Sequence, residues 1–476
     1  MCHYKHIRFA PQKLLPPVAA NATTSLESQQ CSTPNTLREP KRKSKLGCKE
    51  CRIRRVKCDE TFPVCKRCLS RGSICLPAAR SQQWIYEMPP TLNGQLPTLL
   101  HVKKRQLQYW LEKASQILVI DTENNPFSYP ILKYLNDSPA LVHAIQSVSM
   151  GHETFFDGAN QSEILQQRGM ALISLREELK HIDTGIYLPA FFTAYILMVS
   201  TSSLDVDMLH YGEEHFAGAR AVLYCMLQTP HSTDMETLHL LLGYYIYCDM
   251  TISFLSEPKE QIESNNELVH TAVRETRHLN HPLVGFSMEI MYLMGTLGRH
   301  CRRVLDSGQR DHALEATMEQ QMLDWECTLG VRELDSLSNA FRNTGLILLY
   351  RICGPSPRTF EHEGETSDSD NPALDTVIRD LALQVILYLD TIPLSSCFVN
   401  IFPLPLLTAG SELTAEDAEQ RAHVIERFRA VYSFNRIPAN MAAIELLKEV
   451  WAQRDRGAKL SWIRVMLLLE WRLIVS

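Results

Sequence analysis

"GCKECRIRRVKC", residues 47–58, places three cysteines and five basic side chains in twelve positions, and "CKRCLSRGSIC", residues 65–75, repeats the cysteine spacing. The full pattern is C-x2-C-x6-C-x6-C-x2-C-x6-C, formed by Cys48, Cys51, Cys58, Cys65, Cys68 and Cys75. The second half duplicates the first at the level of the thiols, which predicts two pseudo-symmetric half-sites joined by the loop 59–64.

Soft thiolates at short spacing favour Zn(II), which takes four ligands in a tetrahedron. Six sulfurs complete two such ions only if two of them are shared. Symmetry selects the first cysteine of each half, Cys48 and Cys65, as bridges. One ion then holds Cys48, Cys51, Cys58 and Cys65, and the other Cys48, Cys65, Cys68 and Cys75, so two Zn(II) per chain are expected. The segment's few hydrophobes, Val56, Phe62, Val64, Leu69 and Ile74, cannot build a core. Metal must therefore supply its folding free energy, on the order of 10 kcal/mol in small zinc modules. A disulfide framework would need an oxidising compartment for which the chain gives no sign. An iron–sulfur centre would leave the basic residues unexplained.

The basic residues are concentrated around the thiols. Residues 38–80 hold 14 Lys and Arg against 4 Asp and Glu, whereas the chain as a whole has a net charge of −6. A positive module heads an acidic body, and such a module suits a polyanion. A short helix is expected between Cys51 and Cys58, projecting Arg52, Arg54, Arg55 and Lys57. Arg pairs with the O6 and N7 of guanine, and a short helix fits the major groove, so Arg54 and Arg55 are the base-contact candidates. Arg52, Lys57, Lys66 and Arg71 suit phosphates, as do Lys43 and Lys45 of the preceding basic arm, "PKRKSK".

The span 48–75, with its interior "CRIRRVKCDETFPVCKRC", resembles the fungal Zn(II)2Cys6 binuclear cluster domain of zinc cluster transcription factors. The resemblance implies sequence-specific binding of double-stranded DNA at CGG-like triplets and a nuclear location. It also implies bridging roles for Cys48 and Cys65, base contacts from Arg54 and Arg55, and a structural role for Pro63.

Outward from the module, residues 1–40 have the polar composition of a disordered tail, 41–80 form the DNA-binding domain with its arm, and 81–98 a proline-containing linker. Residues 99–476 show helical periodicity nearly throughout, with candidates near 99–118, 161–180, 189–202, 208–227, 234–254, 264–279, 283–300, 309–326, 331–352, 373–390, 415–431, 436–453 and 458–473. Another helix is expected to begin at Pro139, after the Asp137-Ser138 cap. Pro403 and Pro405 are placed between helices. The expected fold class is thus a small Zn2Cys6 module followed by a large all-α domain, with two subdomains conceivable about the acidic insert 361–372. Thr184–Leu204 has no charge, but its apolar run is shorter than a spanning helix needs, so it is expected to be a core helix with no membrane contact. The scattered cysteines of the body are expected as buried hydrophobes.

The body resembles, more weakly, the fungal-specific transcription factor regulatory region, through Trp110 in its opening helix, "NDSPALVHAIQSVSMGHETFF" (136–156) and "ILQQRGMALISLREELK" (164–180). This implies regulation of transcription, in related proteins of metabolic or secondary-metabolite genes, with a small-molecule effector or transcriptional cofactors as partners. Many relatives follow the cluster with a dimerising coiled coil. Here Leu100, Leu107, Leu111, Ala114 and Leu118 fall short of three or four heptads, which leaves a homodimer through the body or a monomer.

Enzyme chemistry finds no foothold. His152-Glu153 lacks a second histidine four residues on, there is no phosphate loop or nucleophile elbow, and His143, His210, His215, His239, His270, His278, His281 and His300 show no defensible pairing with a carboxylate. Tyr244, Tyr245, Tyr247, Met250 and Phe254 fit core packing better than an effector pocket. The expected function is a DNA-binding transcriptional regulator and not an enzyme; the alternatives are a zinc-dependent scaffold or an enzyme tethered to nucleic acid.

Overall fold

The computed structural model describes residues 47–59, 65–71, 73, 75, 102–154, 161–180, 187–204, 212–228, 234–257, 267–326, 330–354 and 372–474. The tail, the basic arm with Lys43 and Lys45, Pro63, the linker and the insert 361–371 lie outside them. Two short helices belong to the cysteine module, α1 (Lys49–Ile53) and α2 (Lys66–Leu69). The rest of the described chain is helical, with one isolated β-bridge between His281 and Gly285 and no sheet among the described residues.

The body begins with α3 (Lys104–Glu112), α4 (Pro139–Thr154), α5 (Gln161–Leu179), α6 (Tyr187–Leu204) and α7 (Glu213–Gln228). It continues with α8 (Met235–Ser253), α9 (Glu267–Thr276), α10 (Met288–Ser307), α11 (His312–Asp324), α12 (Arg332–Cys353) and α13 (Pro372–Asp390), and ends with α14 (Pro403–Ser411), α15 (Ala418–Asn435), α16 (Ala439–Arg454) and α17 (Trp462–Leu468). Sequence neighbours pack on one another, α4 on α5, α6 on α7 and α12 on α13. The last pair flanks the insert, and both its helices contribute to a hydrophobic core that runs from Leu107 to Ile474. α6 covers the described part of the uncharged stretch at 184–204 and is buried as expected at Phe191, Phe192, Ile196 and Leu197. No helix among the described residues is long and apolar enough to cross a membrane.

Three local expectations give way. The opening helix stops at Glu112 because Lys113 leaves helical geometry (φ −131°, ψ −63°), and Ala114–Leu118 continues as a 3₁₀ turn. Its apolar face, Leu107, Leu111, Ala114 and Leu118, is buried in the body core, which accounts for the failed heptad pattern. Pro403 and Pro405 do not separate helices; they lie in the first turn of α14, where backbone N–H groups have no intrahelical acceptor and proline costs little. Cys248, Cys301 and Cys353 are buried and Cys397 half-buried, but Cys225 is exposed on the outer face of α7.

Distant segments are sewn together by polar contacts. Trp110 donates its indole N–H to the Phe127 carbonyl at 2.6 Å, and the Phe127 ring packs against Phe192, Tyr195 and Tyr244 at 4.8, 5.5 and 5.0 Å. Asn400 donates to the carbonyls of Gln116 and Val119, each at 3.1 Å, tying the segment before α14 to the start of the body.

Candidate metal centre and nucleic-acid interface

The two C-x2-C pairs fold alike. Cys48 caps α1, its Sγ accepting the Cys51 N–H at 3.4 Å, and Cys65 caps α2, its Sγ accepting the Cys68 N–H at 3.4 Å. A thiol at the N-cap and another three residues on stand on the same side of the first turn, so each pair offers two sulfurs in one direction. Both helices close in the same way, with N–H groups of Val56 and Ser73 donating to the carbonyls of Cys51 and Cys68 at 3.0 and 2.9 Å.

The pairs face each other. Cys48 Sγ lies 3.8 Å from Cys65 Sγ and 3.6 Å from Cys68 Sγ, and Cys51 Sγ lies 3.7 Å from Cys65 Sγ. Sulfurs bound to one tetrahedral zinc at about 2.3 Å stand about 3.8 Å apart, so this donor set fits the ion. Cys48, Cys51, Cys65 and Cys68 offer donor atoms all within 4.8 Å of one another. Cys58 and Cys75 complete the same buried sulfur cluster, with Cys75 Sγ accepting the Cys65 N–H at 3.3 Å.

Burial, followed by the neighbouring sulfurs, pushes the Cys51 and Cys68 thiols well above the ordinary range, and burial likewise pushes Cys75 up to about 12. A divalent cation is the natural agent that would make thiolates stable there. Among the described residues the buried apolar side chains of the module are the six cysteines, while Ile53, Val56 and Leu69 are exposed.

The helix expected between Cys51 and Cys58 lies earlier, because Cys48 caps it and Arg54 and Arg55 end it. Arg55 has φ +54°, the left-handed position after a helix that glycine usually fills, and the equivalent position of the second half is Gly72 in the sequence. Arg52, Arg55, Lys57, Lys66 and Arg71 are exposed. Arg54 is half-buried, with Nε 3.1 Å from the Glu50 carboxylate and Nη2 donating to Cys68 Sγ at 3.8 Å. It therefore braces the two halves as well as standing at the edge of the basic face. Asp59, which no motif singles out, accepts the N–H groups of Lys66 and Arg67 on its carboxylate at 3.0 and 3.2 Å and so fixes the start of α2. The signal was an Asp between the halves, a residue type that accepts from helix N-termini.

In the body, His152 is not a metal ligand. Its Nδ1 accepts from the Tyr109 hydroxyl at 2.7 Å and its Nε2 donates to the Asn435 carbonyl at 3.0 Å, while burial holds its pKa down to about 4. Tyr244, Tyr245, Tyr247, Met250 and Phe254 are buried core. One histidine expected to stand apart from carboxylates does not: His300 Nε2 meets Glu315 Oε1 at 2.8 Å in the interior, a pairing between helices that spacing cannot reveal.

Comparison with known proteins agrees with this division. Residues 46–85 match the model of the fungal Zn(2)-Cys(6) binuclear cluster domain, and residues 105–476 that of the fungal specific transcription factor domain. Over 67 residues the chain is 39% identical to the Zn(2)-C6 fungal-type transcription factor afumD of Aspergillus fumigatus, covering 14% of this chain and 15% of that protein. Over 60 residues it is 43% identical to the transcriptional regulatory protein moc3 of Schizosaccharomyces pombe, 12% of each. No solved structure matches the chain. With its cysteine module at the front and the family's helical domain over most of its length, the chain belongs to the fungal specific transcription factors of the Zn(2)-Cys(6) type.

Proposed function

We propose that this transcriptional regulator binds double-stranded DNA in the nucleus through a module holding two Zn(II), and that it reads CGG-like triplets in the major groove. The observation that carries the reading is a cluster of six buried cysteines surrounded by exposed Arg52, Arg55, Lys57, Lys66 and Arg71. Six thiolates and two Zn(II) sum to −2, which subtracts little from that positive surface. Cys48 and Cys65 bridge the ions, and Cys51, Cys58, Cys68 and Cys75 are terminal ligands. Arg55 and Arg54 address base edges, while Arg52, Lys57, Lys66 and Arg71, with Lys43 and Lys45 of the arm, neutralise phosphates. The helical body regulates transcription of metabolic or secondary-metabolite biosynthesis genes in response to a small-molecule effector or transcriptional cofactors, and a homodimer forms through it.

Footprinting of the full chain on duplexes containing CGG triplets, with and without a chelator, tests this. Protection is expected only with zinc, and equal protection by metal-free protein would refute it. Zinc content tests the bridging: Cys48→Ala or Cys65→Ala removes both ions, whereas Cys58→Ala or Cys75→Ala removes one.

A further inference from the structure

A group of metal-ligating side chains in the helical body plays no part in DNA binding. His300 comes from the later half of α10, Glu315 from the first turn of α11 and Cys353 from the last residue of α12. All three are buried, at 2%, 3% and 2% exposure, and one donor atom of each lies within 4.8 Å of the other two. His300 Nε2 is 2.8 Å from Glu315 Oε1. The other carboxylate oxygen, Oε2, accepts from Arg310 Nη2 at 2.7 Å and lies 3.3 Å from His312 Nδ1, and Arg310 Nε stands 3.2 Å from both oxygens. Cys301, fully buried beside His300, has its thiol in contact with Cys353.

We propose that His300, Glu315 and Cys353 form a three-ligand zinc site inside the helical body, pinning α10, α11 and α12 together. An imidazole, a carboxylate and a thiol are the donor types that zinc selects. Donors bound to one tetrahedral ion stand about 3.3–3.8 Å apart, so the His300–Glu315 hydrogen bond needs to open by only about half an ångström. Glu315 is already oriented, with Oε1 toward His300 and its carboxylate held by Arg310 and His312, most closely through Oε2. Such an outer partner fixes the orientation of a monodentate carboxylate. On binding, the Cys353 thiol proton and the proton that His300 Nε2 donates to Glu315 leave to solvent, and bonds from the ion to sulfur, nitrogen and oxygen replace the hydrogen bonds among them. The Cys353 thiolate and the Glu315 carboxylate together balance the two charges of the ion. Without zinc the same residues remain an ion-paired network of Arg310, His300 and Glu315.

The site is independent of the DNA-binding reading, and its test keeps the two apart. Zinc is counted by mass spectrometry in the full chain, in Cys353→Ser and in Glu315→Gln, each checked for helical circular dichroism. Both variants are expected to hold one zinc fewer than the unaltered chain, whatever number the N-terminal cysteines bind. A further chain carrying Cys48→Ser, Cys51→Ser, Cys65→Ser and Cys68→Ser leaves the body intact and is expected to keep one zinc. Its cobalt-substituted form should show thiolate-to-cobalt absorption. Equal zinc contents in the unaltered chain and both folded variants, or no zinc in the fourfold cysteine variant, would overturn the proposal.

Discussion

Arg55 holds a backbone conformation that costs a side-chain-bearing residue about 1–2 kcal/mol, in a position the second half fills with Gly72. This separates its two roles. Arg55→Gly is expected to retain both zincs and gain slightly in stability while losing preference among DNA triplets, read by titrating specific and scrambled duplexes. Arg54→Ala should behave differently, because Arg54 also contacts Glu50 and the Cys68 sulfur. It should lower zinc retention under a chelator as well as triplet preference. His152 makes a prediction of another kind. Its folded pKa of about 4 lies below the ordinary 6.5, so the unfolded chain binds the proton more readily. Stability is therefore unaffected above about pH 6.5 and falls as the pH drops toward 4, by up to about 3 kcal/mol from this residue. Urea midpoints at pH 7 and pH 4.5 measure it, and His152→Gln should flatten the slope.

Among the helices, the contact of α8 with α10 depends on an absent side chain. A Cβ at Gly298 would fall 1.9 Å from Ser253 Oγ and 2.9 Å from its Cβ, and one at Gly295 would fall 3.0 Å from Asp249 Oδ2. The close approach lets Arg299 reach Asp249 at 2.7 Å with both side chains buried. Gly298→Ala gains helix propensity but forces the helices apart, and overpacking of this kind costs about 1–3 kcal/mol. A lowered thermal midpoint, with DNA affinity unchanged, is the expected result.

Across the whole body, the C-terminal helices are fastened by Glu412, buried just after α14. Its Oε2 accepts from Arg351 of α12 at 2.7 Å and from Arg454 of α16 at 2.6 Å, while Arg351 also pairs with Asp375 of α13 at 2.9 Å. Removing the carboxylate leaves two largely buried guanidinium groups facing each other. Glu412→Ala should therefore cost about 3–5 kcal/mol, measured by denaturant unfolding, and should spare DNA binding by the N-terminal module if the module folds on its zinc alone.

Six cysteines at fixed spacing, interleaved with Lys and Arg, determined the metal chemistry, the duplicated half-sites and the family, because ligand geometry is local and sets its own spacing. Helical periodicity likewise determined an all-α body, and the lack of charge at 187–201 the burial of α6. Tertiary structure decided the rest. It placed prolines 403 and 405 inside a first turn, drew Arg54 toward a sulfur, made Asp59 a cap, and joined His300 to Glu315 and Cys353 across three helices. These outcomes depend on which helix faces meet, and contacts between residues far apart in the chain leave no periodic trace in the sequence.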